Sequence, residues 1–469
     1  MSTTTSSGAG EAGDAGSAGA AGQVGRAGRL GLRKGGGRAV FASMLGTLVE
    51  WYDYALYGAA ASLVIGPLFF GHLDAGQAVA AFATFAVGFI ARPFGGLLIA
   101  HWGDKHGRKP AMLFTMIVMG ISTVGIGLLP TADIAGVWAV VMLIALRLLQ
   151  GLGAGAELTG AMTLVAEYAI PTRRGLWTSL VMSMPPAGSA VATLAFLAVA
   201  SLPEEQFYGW GWRAPFLASV VLFLIAIFIR TKLEESPDYQ AAMESRDAAQ
   251  RAARTPLGEV LKNQWREVIL GFMAVTGHNA NNYIISIASI TIMVAYGGLE
   301  RTEALTAVLL GSLLGILLSP LGGMAGDRFG AGRVMAVGAI VGLLFAYPLF
   351  TAFKSGSIWV AFAALAVSYG FVLACTSGAQ GAFLANLFPV RTRFTGTALA
   401  RETNGALVAG LTPMIVAALL EVGDGSIIWA AGYMAACFFI TFLGVVLARG
   451  KGDNKAESPA DAAATAAAN

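Results

Sequence analysis

Apolar residues run through this chain in long blocks, separated by short polar segments, from residue 39 to residue 448. A helix rising about 1.5 Å per residue needs about 20 apolar residues to cross a hydrocarbon core. On that measure the pattern predicts helices over 39–68, 77–101, 111–130, 136–167, 175–201 and 213–231, then 266–296, 302–325, 333–353, 357–386, 395–420 and 426–448. The expectation is an all-α membrane protein with twelve transmembrane helices in two six-helix bundles. The bundles would occupy 39–232 and 263–448, with the charged stretch 233–262 between them as a cytoplasmic linker. Part of that stretch has helical periodicity without an apolar face, as a solvated segment would. Residues 1–38, rich in Gly, Ala and Ser, and residues 449–469, rich in Ala and without heptads, read as disordered tails.

The polar breaks alternate in charge. "GDKHGRKP", "PTRRG", "GDRFGAGR" and "PVRTRF" are basic, whereas "GHLDAG", "PTAD", "LPEEQFYGWG", "GLERTE" and "EVGDG" are neutral or acidic. Under the positive-inside rule the basic loops lie in the cytoplasm, which puts the N- and C-termini there as well. No apolar stretch precedes Arg26, Arg29, Arg33, Lys34 and Arg38, so no cleavable secretory signal is visible.

Composition narrows the classes. The chain has 469 residues, 56% hydrophobic and 12% charged, against about 25% charged in ordinary soluble domains. A net charge of +3 is too small to suggest a nucleic-acid partner. Cys375 and Cys437 both fall in predicted helices, so no disulfide framework is implied. There is no P-loop, no zinc-ligand spacing and no placed Ser/His/Asp set, so an enzyme, a resident metal, a cofactor and ATP-driven transport are all unsupported.

The two halves repeat. "GDKHGRKPAM" (103–112) follows the second predicted helix and "GDRFGAGRVM" (326–335) the eighth, while "AEYAIPTRRG" and "LANLFPVRTRFTG" follow the fourth and tenth. Internal repeats with a site at the midplane between them are the architecture of secondary transporters. Within the first loop Gly103 and Gly107 permit a tight turn, Asp104 can accept from helix N-terminal amides or an arginine, and Arg108 and Lys109 can rest at anionic headgroups. Asp327 and Arg328 return in the second half. This loop motif resembles that of the major facilitator superfamily. "EWYDYALYG", "ARPFGG", "RLLQGLGAGAELTGA", "GWGWRAPF" and "LEESPDY" are similar to its metabolite–proton symporter family, which includes α-ketoglutarate, shikimate and proline/betaine permeases. The likeness covers 39–448. Departures are Gly155-Ala156-Glu157 where relatives have Gly-Gly-Glu, Asn386 where they have Glu before "FP", and "ALARETNGA" in the eleventh predicted helix, where many have Tyr then Gln or Asn.

Charges inside these apolar blocks need an account, because a carboxylate at the bilayer centre costs about 2.5–3.5 kcal/mol on insertion scales. Glu50 and Asp53, three residues apart on one helix, are candidate proton-coupling groups, with Asp53 first; the alternative is a structural pair held by an arginine. Glu157 is a further coupling candidate or a structural partner. Arg92 either holds an anionic or zwitterionic substrate by forked hydrogen bonds or pairs with an acid. Arg147 lies ten residues before Glu157 on one helix, too far to pair with it directly. Glu167 is assigned to the loop network. His278, Asn281, Asn282, Ser286 and Ser289 form a polar stripe at helical spacing, expected to line a cavity. Arg401 and Glu402 point about 100° apart and should serve different partners, Arg401 at an anion site or snorkelling to the interface.

The reading that results is a proton-coupled secondary transporter taking up a small organic acid (a dicarboxylate, keto acid or shikimate-like compound) across the plasma membrane by alternating access. Arg92, Arg401, His278, Asn281, Asn282 and Tyr57 would bind substrate, and the buried acids would titrate in a wet vestibule. Its partners would be substrate, protons and lipid, and it would act as a monomer. Proline or betaine uptake is the alternative, weakened by a C-terminal tail without heptads. Drug export fits "MSMPPAGSAVA" poorly, and a non-transporting sensor remains the different class.

Overall fold

The computed structural model describes residues 31–33, 35–73, 75–106, 108–155, 157–234, 256–389, 392–448 and 450–452. Among them the structure is helical, apart from one isolated backbone bridge between Leu32 and Ala169. The main helices are α1 (Gly36–Phe70), α2 (Gln77–His106), α3 (Arg108–Leu128), α4 (Val137–Tyr168), α5 (Pro171–Ala200) and α6 (Arg213–Glu234). There follow α7 (265–296), α8 (Arg301–Phe329), α9 (Ala331–Phe353), α10 (Ile358–Leu387), α11 (Arg393–Val422) and α12 (Ile428–Leu447). The chain is a multi-pass membrane protein with an all-helical fold.

Among the described residues nine of these helices are long and apolar enough to cross a membrane, or ten if the bent pair Glu204–Gly211 and Arg213–Phe228 is one crossing. The two remaining helices fall short for visible reasons. The apolar part of α3 is confined to Leu113–Leu128. In α7 the buried row Thr276, His278, Asn279, Asn281 and Asn282 lowers the hydropathy of a helix that is otherwise continuous. Of the linker expected at 233–262, residues 235–255 lie outside the described ones, and Pro256–Asn263 forms a short helix beside α7. The tails lie outside the described residues except for 31–38 and 450–452, with 34 not described.

Packing follows the repeat. In the first half α1 packs on α5, α2 on α4 and α3 on α6; in the second, α7 packs on α11 and α12, α8 on α10 and α9 on α12. Lipid tails give helices no hydrophobic reason to associate, so close contact rests on small residues. The α2–α4 crossing depends on this, because a Cβ on Gly151 would collide with the Gly88 carbonyl oxygen. The start of α8 has its own signal: Glu300 and Glu303 form a capping box, each side chain accepting from the other residue's backbone N–H.

The halves meet along two related seams, α5 against α8 and α2 against α11. They also touch where α1 and α7 carry π-turns, at Ala61–Ile65 and Ile284–Ala288. There Ser62 Oγ donates to the Ile287 carbonyl at 3.0 Å, and a Cβ on Gly58 would collide with the Ile287 side chain. At the opposite end, the Asp327 carboxylate accepts from the Gly175 and Leu176 amides at 2.7 and 2.8 Å, tying α8 to the start of α5.

Candidate functional site

Between those closed ends lies a buried polar belt in three parts. The first is internal to the first half. Asp53, fully buried on α1, accepts from Thr123 of α3 and from Gln150 of α4. Gln150 in turn accepts from Arg147, so a neutral amide stands between the acid and the arginine. Arg147 also donates to the Thr84 and Phe85 carbonyls and lies 3.9 Å from the Tyr57 ring centre. Tyr57 hydrogen-bonds Thr84. Arg147 and Gln150 are one helical turn apart, which is why both reach the same neighbour.

The second part lies on the seam. Glu50 and Asp53, though spaced by one turn, serve different neighbourhoods. Arg92 of α2 donates through Nη2 to Glu50 Oε1 at 2.8 Å and through Nε to Glu402 Oε2 at 3.2 Å. Its guanidinium is flanked by the rings of Tyr54 at 5.0 Å and Phe89 at 5.4 Å. One carboxylate comes from the first half and the other from the second, so this arginine joins them. Above it the centre is filled by rings. Tyr283 of α7 stacks on Trp51 at 5.8 Å and meets Phe85 and Phe89 edge-on at 5.7 and 5.3 Å. The vestibule pictured from the sequence is closed at this level.

The third part belongs to the second half. Arg401, next in sequence to Glu402, donates to the neutral side chain of Gln380 on α10. It is 8% exposed, and its Nε has no hydrogen-bond partner. Trp51 Nε1, Asn281 Nδ2 and Gln380 Nε2 are likewise buried donors without a partner, and His278 Nδ1 and Glu50 Oε2 are buried and unmatched as well. These unmatched groups are spread over α1, α7, α10 and α11. Such groups are costly when buried unless a ligand or water answers them.

Residues 39–268 match the profile of the Sugar (and other) transporter family. The Escherichia coli inner membrane metabolite transport protein YhjE is 34% identical over 418 residues, covering 87% of this chain and 93% of that protein. The Escherichia coli shikimate transporter is 33% identical over 416 residues, covering 87% and 94%. The chain belongs to the major facilitator superfamily. Within it, the Escherichia coli proline/betaine transporter is 32% identical over 398 residues, covering 82% of this chain and 78% of that one. A crystal structure of a D-xylose-proton symporter superposes with TM-score 0.68 at 18% identity, covering 89% and 99%, and shares the fold. These relatives are transporters, and this major facilitator protein is a metabolite transporter and not an enzyme.

The remaining expected residues divide as follows. Glu157 is half-buried at the start of the second part of α4, within electrostatic reach of Glu50. Asn281 accepts from Ser368 at 3.0 Å, and Asn282 is buried beside it. Arg328 lies against the Phe329 ring at 5.2 Å. Gly107 lies outside the described residues, as do the side chains of Asp104, Arg108 and Lys109, while Gly103 is part of α2.

Several participants escape a reading of the sequence. Thr123, Gln150 and Gln380 are uncharged and carry no motif, although Gln150 stands three residues after Arg147 on one face. Trp51 and Tyr54 are visible in "EWYDY", and Phe82, Phe85 and Phe89 recur at helical spacing ahead of Arg92. Tyr283 gives no signal beyond its place after the asparagines. Asn279 donates to Asn404 at 2.6 Å, and Asn404 donates to Thr276 at 2.8 Å, so this pair stitches α7 to α11.

Proposed function

We propose that this transporter moves a small organic anion together with protons across the bacterial inner membrane by alternating access, in the uptake direction, as a twelve-span monomer with both termini in the cytoplasm. The observation that carries the reading is Arg401. A buried guanidinium that hydrogen-bonds the neutral Gln380 and leaves its Nε unmatched, with Glu402 acting on it only through its field, is a costly arrangement in the empty protein and a favourable one around a carboxylate. The unmatched Gln380 Nε2 beside it, and His278, which lies within electrostatic reach of Arg401, would read the hydroxyl or carbonyl groups of the same molecule. Arg92 would take a second carboxylate in the place of Glu402. Asp53, Glu50 and Glu157 are the proposed proton-coupling groups, and the Gly103–Lys109 and Asp327–Arg328 motifs the gates at one end.

The shikimate transporter among its relatives supports an acidic cargo, and the xylose symporter's fold is compatible with proton coupling. The test is uptake of radiolabelled 2-oxoglutarate and shikimate into proteoliposomes, with and without an inward proton gradient. Accumulation of either that collapses with the gradient and is lost in R401Q is the expected result. Accumulation of glycine betaine instead would overturn it. That second reading has its own observation: the rings of Trp51, Tyr54, Phe85, Phe89 and Tyr283 crowd the centre, and aromatic faces suit a quaternary ammonium.

A further inference from the structure

Arg92 has more carboxylate than it needs. Glu50 alone neutralises it, in a 2.8 Å contact made within the first half between α1 and α2. Glu402 adds a second carboxylate from α11, at 3.2 Å and across the seam. Glu402 is also the less buried of the two acids, 13% exposed at its side chain against 1% for Glu50. The longer, wetter bond is the one that joins the halves.

The surroundings favour a contact that can be released. Glu402 is flanked in sequence by Arg401, whose field stays with it wherever α11 moves, so withdrawal from Arg92 does not strand the acid without a counter-charge. Arg92 keeps Glu50 and the faces of Tyr54 and Phe89 when Glu402 leaves. Each half therefore stays compensated on its own, which is not true of an ordinary buried pair, where removing one partner leaves an isolated charge.

We propose that Glu402 is a positioning residue: a tethered carboxylate that latches α11 to Arg92 in the empty transporter and holds the place of a carboxylate of the cargo. Arrival of an anionic cargo at Arg92 and release of Glu402 are then one event, and binding itself frees the seam. The displacement by cargo rests on the functional reading above. The latch does not, and it is testable without any cargo.

The full chain, with Cys375 and Cys437 replaced by Ala, is spin-labelled at T172C with F329C at one end and, separately, at W210C with W429C at the other. All four positions are exposed, and each pair spans the two halves. Electron–electron distance measurements in nanodiscs without substrate then read the ratio of closed to open populations. E402Q is expected to shift that ratio by roughly fivefold or more at one end, the low side of ordinary coupling between sites. E50Q removes an equal charge from the same arginine but within one half; it leaves Glu402 as the carboxylate still facing Arg92, so it is expected to shift the ratio in the opposite direction, toward the latched state. Should E402Q fail to fold, E402D retains the charge, withdraws it by one methylene and is expected to give a smaller shift of the same sign. A ratio unchanged in whichever Glu402 variant folds, or shifted in the same direction by E50Q, overturns the proposal.

Discussion

At the scale of single residues, the acids of α1 divide their labour. Asp53 is enclosed by Thr123 and Gln150 and separated from Arg147 by a neutral amide, whereas Glu50 lies on the seam with Arg92. Three-residue spacing places both on one side of a helix, and that much is legible in "VEWYDYALYG". Which neighbours they meet is not, since Gln150 and Glu402 lie 97 residues beyond Asp53 and 310 beyond Arg92. Asn replaces Asp53 almost isosterically and cannot ionise. We therefore expect D53N to fold, to lose accumulation driven by a proton gradient and to retain substrate exchange in counterflow. Proton-driven uptake with an unchanged pH profile would remove Asp53 as the carrier. Arg147 is different: it serves two carbonyls, Gln150 and the Tyr57 ring from a fully buried position. Each buried acceptor left unmatched when such a donor is removed costs about 1–3 kcal/mol. R147A should accordingly lower the unfolding temperature sharply in detergent, and R147K should recover part of the loss.

At the scale of helices, hydropathy is a good guide wherever a helix faces lipid on one side. The apolar blocks of α8, α9, α10 and α12 correspond closely to the helices observed. It is a poorer guide for α7, whose polar row is buried among other helices and breaks the apolar pattern while the helix runs on. The close crossings are also hidden, because glycine is common throughout the chain and only packing reveals which ones are tight. Gly151 is one of them, whereas a Cβ added at Gly432 would meet nothing within 4 Å. G151V should therefore prevent accumulation of folded protein, and G432A should leave the melting temperature and uptake unchanged. Fluorescence-detected size exclusion of the two variants checks this.

At the scale of the whole molecule, chain flanking the bundle is stitched to the turn between α4 and α5. Arg33 N donates to the Tyr168 carbonyl and Ile170 N to the Gly31 carbonyl, both at 3.0 Å, which straps the N-terminal segment to the turn between α4 and α5. Past that turn Arg174 bonds Asn386 of α10, whose amide reaches the Gly452 carbonyl at 3.4 Å. In the sequence Asn386 stands out only as a departure from the family; in the fold it lies between one half and the opposite terminus. With each backbone hydrogen bond worth about 0.5–1.5 kcal/mol net, deleting residues 1–33 should cost about 1–3 kcal/mol. A small downward shift in thermal unfolding, with transport retained, is the outcome to look for.

Tyr283 is the ring that α7 contributes to a cluster otherwise drawn from α1 and α2. In the alternating access proposed above, each turnover that parts the halves unstacks it from Trp51 and slides it off Phe85 and Phe89, then seats it again. On that reading the rings act as a turnstile, with the pace of the cycle expected to follow how readily one tyrosine swings. Shaving that ring to alanine is then expected to leave the entrance ajar and trade a metered carrier for a leaky one, seen as downhill efflux from loaded proteoliposomes.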